Sequence, residues 1–186
     1  MFRSAAHAAP CPCCGDLLSG ELSRRRFVQT AAAAGATWAC APGFAWAATG
    51  NYEAMVLSCI DPRLQEPVHR YLAGRHLTGK YSHFVIAGAS VGVVAPAFED
   101  WHKTFWDNLG ASVQLHHIKR VIVINHRDCG AAKIAYGQEA VANRGAENAT
   151  HRVALAQFRK QLAEHHPQLK VETGLMAING RIEMMS

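Results

Sequence analysis

The sequence predicts an α/β domain, a mostly parallel sheet flanked by helices, over residues 49–186, behind an N-terminal extension of residues 1–48. Three observations carry this. Short continuous apolar runs recur beyond residue 53, the pattern of strands buried on both faces. Between them lies a stretch with apolar residues at three- and four-residue spacing, the mark of a helix with one face on a core. The two patterns alternate, which argues for parallel strands joined by crossover helices.

The first strand is "AMVLSCI" (54–60), after which Pro62 holds Asp61 extended before the chain turns into a helix. "HFVIAGAS" (83–90) is the second. Phe98, Trp101, Phe105, Leu109 and Val113 then mark one face of a helix near 97–117. "RVIVINH" (120–126), with four consecutive aliphatic residues, is the strongest strand. A helix starts near Gly130, with Asp128 as its expected cap. Asn148 or Thr150 caps a further helix through "HRVALAQFRKQLAEHH", which Pro167 stops. The chain closes on "VETGLMAINGRIEMM", where Asn179-Gly180 suits a tight hairpin turn.

Composition narrows the function classes. At 49% hydrophobic and 18% charged residues the chain reads as globular rather than disordered. Setting aside the four arginines and two acids of the first 47 residues leaves 15 Lys/Arg against 12 Asp/Glu. These charges are scattered, with no basic stripe interleaved with aromatics, so nucleic-acid binding is not expected.

The extension reads as an address. Ser23-Arg24-Arg25-Arg26-Phe27-Val28 precedes an alanine-rich stretch, Pro42 breaks any helix, and Ala45-Trp46-Ala47 offers small residues where a signal peptidase reads. It resembles a bacterial twin-arginine (Tat) export signal. That implies the Tat machinery as a partner and a periplasmic location, with cleavage after Ala47 or retention as an anchor. Gln29, Thr30, Gly35 and Pro42 weaken the alternative of a membrane helix. Upstream, "CPCCG" places Cys11, Cys13 and Cys14 near His7, but C-x-C-C is not a usual zinc spacing and the segment would leave with the leader.

Of six cysteines, the body keeps only Cys59 and Cys129. In an exported protein such a pair invites a disulfide. The neighbours offer a competing reading. Side chains two apart on extended chain point the same way, so Cys59, Asp61 and Arg63 are placed to face one crevice. His126 and Cys129 lie three apart at a strand-to-helix turn and are placed to converge. Ligands in such sheets gather at the carboxyl ends of strands, where Cys59 and His126 fall. Two thiolates and an imidazole make a Cys₂His zinc set with a fourth position left for water, whose pKa zinc lowers to about 7 in favourable sites. A guanidinium fork from Arg63 fixes the direction of Asp61; released, Asp61 would become a fourth ligand and shut the site.

"C-x-D-x-R" at Cys59–Arg63, followed by "H-x-x-C-G" at His126–Gly130, resembles the signature of β-class carbonic anhydrases, and the likeness spans roughly 53–182, including "GLMAINGRIE" as the last strand and turn. The resemblance implies one zinc ion per chain on Cys59, His126 and Cys129, with Asp61 and Arg63 as the catalytic dyad. It also implies reversible hydration of carbon dioxide to bicarbonate by hydroxide held on zinc, in a homodimer or higher homo-oligomer. Two departures stand out. "VIAGAS" keeps Ala87-Gly88 but has Val85 and Ile86 where the family has a polar pair, and no long N-terminal helical arm remains if the leader is removed. Two alternatives therefore accompany this reading: hydrolysis of carbonyl sulfide or carbon disulfide on the same fold, and a non-catalytic zinc protein closed by Asp61.

Other candidates receive plainer expectations. His116 and His117 read as surface residues, and His102, His151, His165 and His166 as solvated helix faces. Trp101, Phe105 and Trp106 read as core or subunit contact.

Overall fold

A computed structural model describes residues 50–185. The expected leader (1–48), with its twin-arginine motif and cysteine cluster, lies outside the described residues.

Five strands form one sheet in the order β2-β1-β3-β4-β5. They are β1 (Ala54–Ser58), β2 (Tyr81–Val85), β3 (Arg120–His126), β4 (Lys170–Met176) and β5 (Ile182–Met184). The first four pair in parallel; β5 returns antiparallel to β4. The helices among the described residues are α1 (Gln65–Gly74), α2 (Ser90–Val94), α3 (Glu99–His116), α4 (Gly130–Tyr136) and α5 (Arg144–His165). From β1 the chain crosses to β2 on one side and then to β3 on the other. That reversal opens a crevice beyond the carboxyl ends of β1 and β3, as an open parallel sheet does at a switch point.

The inner strands β1 and β3 are buried on both faces. Met55, Leu57, Val121 and Val123 join the larger core with Phe105, Leu155 and Phe158, whereas Ala54, Val56, Ile122 and Ile124 join the opposite one with Leu64, Val68 and Leu72. The period-two alternation of β1 and β3 distributes their side chains so, and this is why their sequences are continuous apolar runs. Each large apolar side chain fully buried in this way contributes about 1.5–3 kcal/mol.

The structure revises several element boundaries. The second strand ends at Val85 rather than Ser90. Gly88 (φ 81°) and Ala89 (φ 51°) turn the backbone left-handed, and the apolar residues that follow form the buried helix α2 instead of strand. Gly92 lets this helix close on the preceding turn, since a Cβ there would collide with the Ala87 carbonyl oxygen. The first strand likewise stops at Ser58, so Cys59 and Asp61 lie just beyond it.

The long helix after β2 is α3, preceded by a 3-10 turn at Pro96–Phe98. Phe105 and Leu109 of its apolar stripe are fully buried, whereas Trp101 is exposed and stacks on Phe98 with ring centroids 4.4 Å apart. The last helix begins earlier than Asn148 or Thr150. Asn143 is its N-cap, accepting from the N–H groups of Gly145 and Ala146 at 3.0 Å. It ends at His165, two residues before Pro167. Asn179-Gly180 sits in the β4–β5 hairpin connection, with Gly180 at φ 86° and its N–H donating to the Ala177 carbonyl.

Candidate metal centre

Cys59 follows β1, His126 ends β3 and Cys129 opens α4, so three elements deliver three soft or borderline ligands to one crevice. One ligand atom from each lies within 4.8 Å of the other two, and all three residues are buried. Both cysteines are free thiols. No carboxylate joins the cluster among the described residues.

Each side chain of the cluster is held by a neighbour. The Gly88 N–H donates to Cys59 Sγ at 3.1 Å, a contact that the left-handed turn after β2 makes possible. The backbone N–H groups of Ala131 and Ala132, in the first turn of α4, are directed to Cys129. His126 Nδ1 bonds the Arg127 carbonyl at 2.9 Å, which makes Nδ1 the protonated nitrogen. Nε2 is then a lone-pair acceptor, and it is buried without a hydrogen-bond partner. Buried polar atoms are rarely orphaned, and an imidazole oriented through its other nitrogen is the usual posture of a metal ligand. The residues fit a Cys₂His zinc set.

The thiols behave as a coupled pair. A hydrogen bond from Cys129 lowers the pKa of the Cys59 thiol, and the Gly88 N–H acts in the same direction against burial. The Cys129 thiol is pushed up by its bond to Cys59 and by burial. The two sulfurs thus share a hydrogen bond, and a cation held between them would displace its proton, since metal binding requires thiolates.

Asp61 is turned onto Arg63. Nε of Arg63 donates to Asp61 Oδ1 at 3.0 Å and Nη2 to Oδ2 at 2.6 Å, while the Arg63 backbone N–H donates to Oδ1 at 2.9 Å. The fork, foremost among these contacts, holds the Asp61 carboxyl down to about 2. Arg63 also reaches Asp128, through Nη1 to Oδ2 at 2.6 Å.

The expectation that Asp128 caps α4 is therefore corrected: the cap position is Cys129, and no side chain caps it. Asp128 sits in a left-handed conformation (φ 56°) that aims its carboxylate at Arg63 instead. Glu147, which the sequence reading missed, accepts from the Asp128 N–H at 2.5 Å and from Arg127 Nη1 at 3.0 Å. Both members of that Glu147–Arg127 pair are 9% exposed. An acidic residue in the first turn of a helix is common on dipole grounds alone, so its position carries no local signal of such a role.

His151 is likewise misplaced by the sequence, since it is fully buried rather than on a solvated face. Its Nδ1 meets the amide nitrogen of Asn125 at 3.0 Å, and the Asn125 side-chain oxygen accepts from both the N–H and the hydroxyl of Ser90. His116 is half-buried, with Nδ1 2.7 Å from the Ser82 hydroxyl. His165 is exposed and stacks on Trp106, and His117 forms the left-handed end of α3.

Beside the cluster opens a cleft of about 380 Å³, lined by Cys59, Asp61 and His126 and by the apolar side chains of Ile60, Phe98, Trp101 and Ile134. A second apolar groove, sharing Ile60, Ala87 and Trp101 with it, runs along Val85 and Ile86. The cleft therefore pairs a polar metal end with an apolar wall.

The fold and the cluster together define the class: an α/β protein of β-carbonic anhydrase architecture. Solved structures share that fold at low sequence identity. A carbonic anhydrase from Streptococcus mutans matches with TM-score 0.50 at 16% identity, covering 89% of this chain and 99% of that one. One of two tetrameric β-carbonic anhydrases from Sordaria macrospora matches with TM-score 0.51 at 14% identity, covering 87% and 95%. The Coccomyxa β-carbonic anhydrase bound to acetazolamide gives 0.50 at 17%, covering 86% and 82%. The chain belongs to the family described as "Putative carbonic anhydrase", whose model matches residues 49–183. An uncharacterised protein of Rickettsia conorii is 33% identical over 131 residues, 70% of each chain, and one of Rickettsia bellii is equally similar over 80% of its own length.

Proposed function

We propose that this protein is a zinc-dependent carbonic anhydrase that interconverts carbon dioxide and bicarbonate. The observation that carries the reading is the convergence of Cys59, His126 and Cys129, with the buried His126 Nε2 otherwise unpartnered and Asp61 turned away onto Arg63. Cys59, His126 and Cys129 would hold one zinc ion per chain. When bound, zinc supplies a Lewis acid that renders water nucleophilic near neutral pH.

The chain's own residues do the rest. Asp61, ionised down to about pH 2, is a hydrogen-bond acceptor at working pH and can orient the attacking water. Arg63 keeps that carboxylate off the cluster, which favours an open site over the closed, non-catalytic alternative. Ile60, Phe98, Trp101 and Ile134 give a small apolar molecule a wall to pack on and leave few groups to compete for it. The leader adds the proposal that this chemistry takes place after export through the Tat route.

Stopped-flow carbon dioxide hydration by the zinc-loaded protein tests the reading, with Cys59→Ser and Asp61→Asn as comparisons. Asp61→Asn should lower the rate by about 10–100-fold, the range for a residue that orients a metal-held reactant. Absence of hydration at alkaline pH with zinc bound would sink it. The apolar Val85–Ile86 groove favours a second reading, hydrolysis of carbonyl sulfide or carbon disulfide, so sulfide release from both is measured on the same samples.

A further inference from the structure

Arg63 is bracketed by two aspartates. On one edge, Nε and Nη2 hold Asp61. On the other, Nη1 donates to Asp128 Oδ2 at 2.6 Å and Nη2 reaches the Asp128 carbonyl oxygen at 3.1 Å. Asp128 lies 65 positions from Arg63 and directly precedes Cys129. Behind it, the Glu147 carboxylate takes the Asp128 N–H with one oxygen and Arg127 with the other.

This arrangement has a mechanical consequence. Asp61 and Arg63 belong to the same short turn, and the Arg63 side chain is 45% exposed. Paired only with each other, they would be free to move together, and Asp61 could then turn toward a cation. The second aspartate ties the guanidinium to the strand-to-helix turn that carries His126 and Cys129. The bearing of Asp61 is thereby set relative to the ligands themselves.

We propose that Asp128 is a positioning residue that anchors Arg63 to the ligand-bearing turn and so keeps Asp61 from becoming a fourth ligand. The proposal rests on the metal reading above. Its energetic scale is modest, because Asp128 is 77% exposed and such ion pairs are weak.

Two substitutions keep the backbone: Asp128→Asn and Asp128→Gly both tolerate φ 56°, where most residues are strained. The readout is azide binding to the cobalt-substituted protein, followed in its visible spectrum, with cobalt content measured on each sample. Azide needs the open fourth position, so closure by Asp61 competes with it. Both variants should retain cobalt and bind azide about five-fold more weakly, the scale of a partly exposed ion pair. In an Asp61→Asn background the Asp128 substitutions should have no further effect. Unchanged azide affinity in the single variants overturns the proposal, as does an equal loss in the Asp61→Asn background. A wild-type protein with no thiolate-to-cobalt charge transfer overturns the metal reading itself, and this inference with it.

Discussion

The N–H of Gly88 donates to the sulfur of Cys59 across 29 positions of sequence, at 3.1 Å. The bond exists because Gly88 adopts φ 81°, which turns the backbone out of β2 and aims its amide at the Cys59 sulfur. A Cβ on Gly88 would meet Val91 Cβ at 2.9 Å and Ala131 Cβ at 3.1 Å. Gly88→Ala should therefore destabilise the fold by about 1–2 kcal/mol through left-handed strain alone. It should also weaken metal retention, because the amide shifts. Urea unfolding paired with metal analysis measures both; a variant equal to wild type in each would show that the turn does not support the centre.

Metal should stabilise this domain. Purified mature protein is expected to carry about one zinc per chain, and stripping it with a chelator should lower the melting temperature, because whatever binds only the folded state stabilises it. Cys129→Ser should lose zinc and also lose the chelator effect. A melting temperature insensitive to chelation would argue that the cluster holds no ion.

Stability should depend on His151. Burial lowers its pKa to about 4, below the 6.5 of an exposed histidine, so the folded state favours the neutral ring. The unfolded chain then binds more protons below pH 6.5. The stabilisation conferred by the neutral, buried ring is complete above that pH and is lost as pH falls through about 4. Denaturant titrations should show stability falling on the order of 1–3 kcal/mol over this window. In His151→Gln, which removes the titrating group, the slope should flatten; an unaltered slope would assign the acid sensitivity elsewhere.

The cleft and its adjoining groove are rimmed by unusually exposed apolar residues: Ile134 at 73%, Ile60 at 57%, and Val85 and Trp101 at 38% each. A surface of this kind beside a site favours association, and we propose that a second copy of the chain covers it. Light scattering on the mature protein should give a dimer or larger assembly. Ile134→Asp should shift it toward monomer, whereas a monomeric wild type at micromolar concentration would refute the assignment.

Export makes a prediction of its own. Expressed with its leader in a bacterium with a Tat system, the protein should reach the periplasm with Ala48 as its first residue. Arg24→Lys/Arg25→Lys should block transfer. Amino-terminal sequencing of the periplasmic fraction decides both points, and a cytoplasmic, uncleaved product would remove the export reading.

Much of the architecture was legible because its signals are local. β1 and β3 are buried on both faces, so their sequences had to be continuous aliphatic runs, and these read as strands at once. β2 misled because "VIAGAS" is apolar past the strand's end; a run of buried residues looks alike whether it continues a strand or enters a buried helix such as α2. The start of α5 was misjudged because several polar residues near it have capping chemistry, and only the backbone shows that Asn143 performs it.

By itself, the sequence determined which atoms were available for the centre and where along the chain they stand: two sulfurs, one imidazole and an aspartate two residues before an arginine. Few side chains offer such chemistry, so their spacing at strand ends is informative without a fold. Only the tertiary structure decided that Asp128 turns to Arg63, that Glu147 stands behind it and that His151 is sealed in the interior. Those contacts join polar residues far apart along the chain, and polar side chains have no periodicity that reveals a partner. Their pairing follows from the side-by-side placement of β1 and β3 at the switch point, a property of the assembled sheet rather than of any one segment.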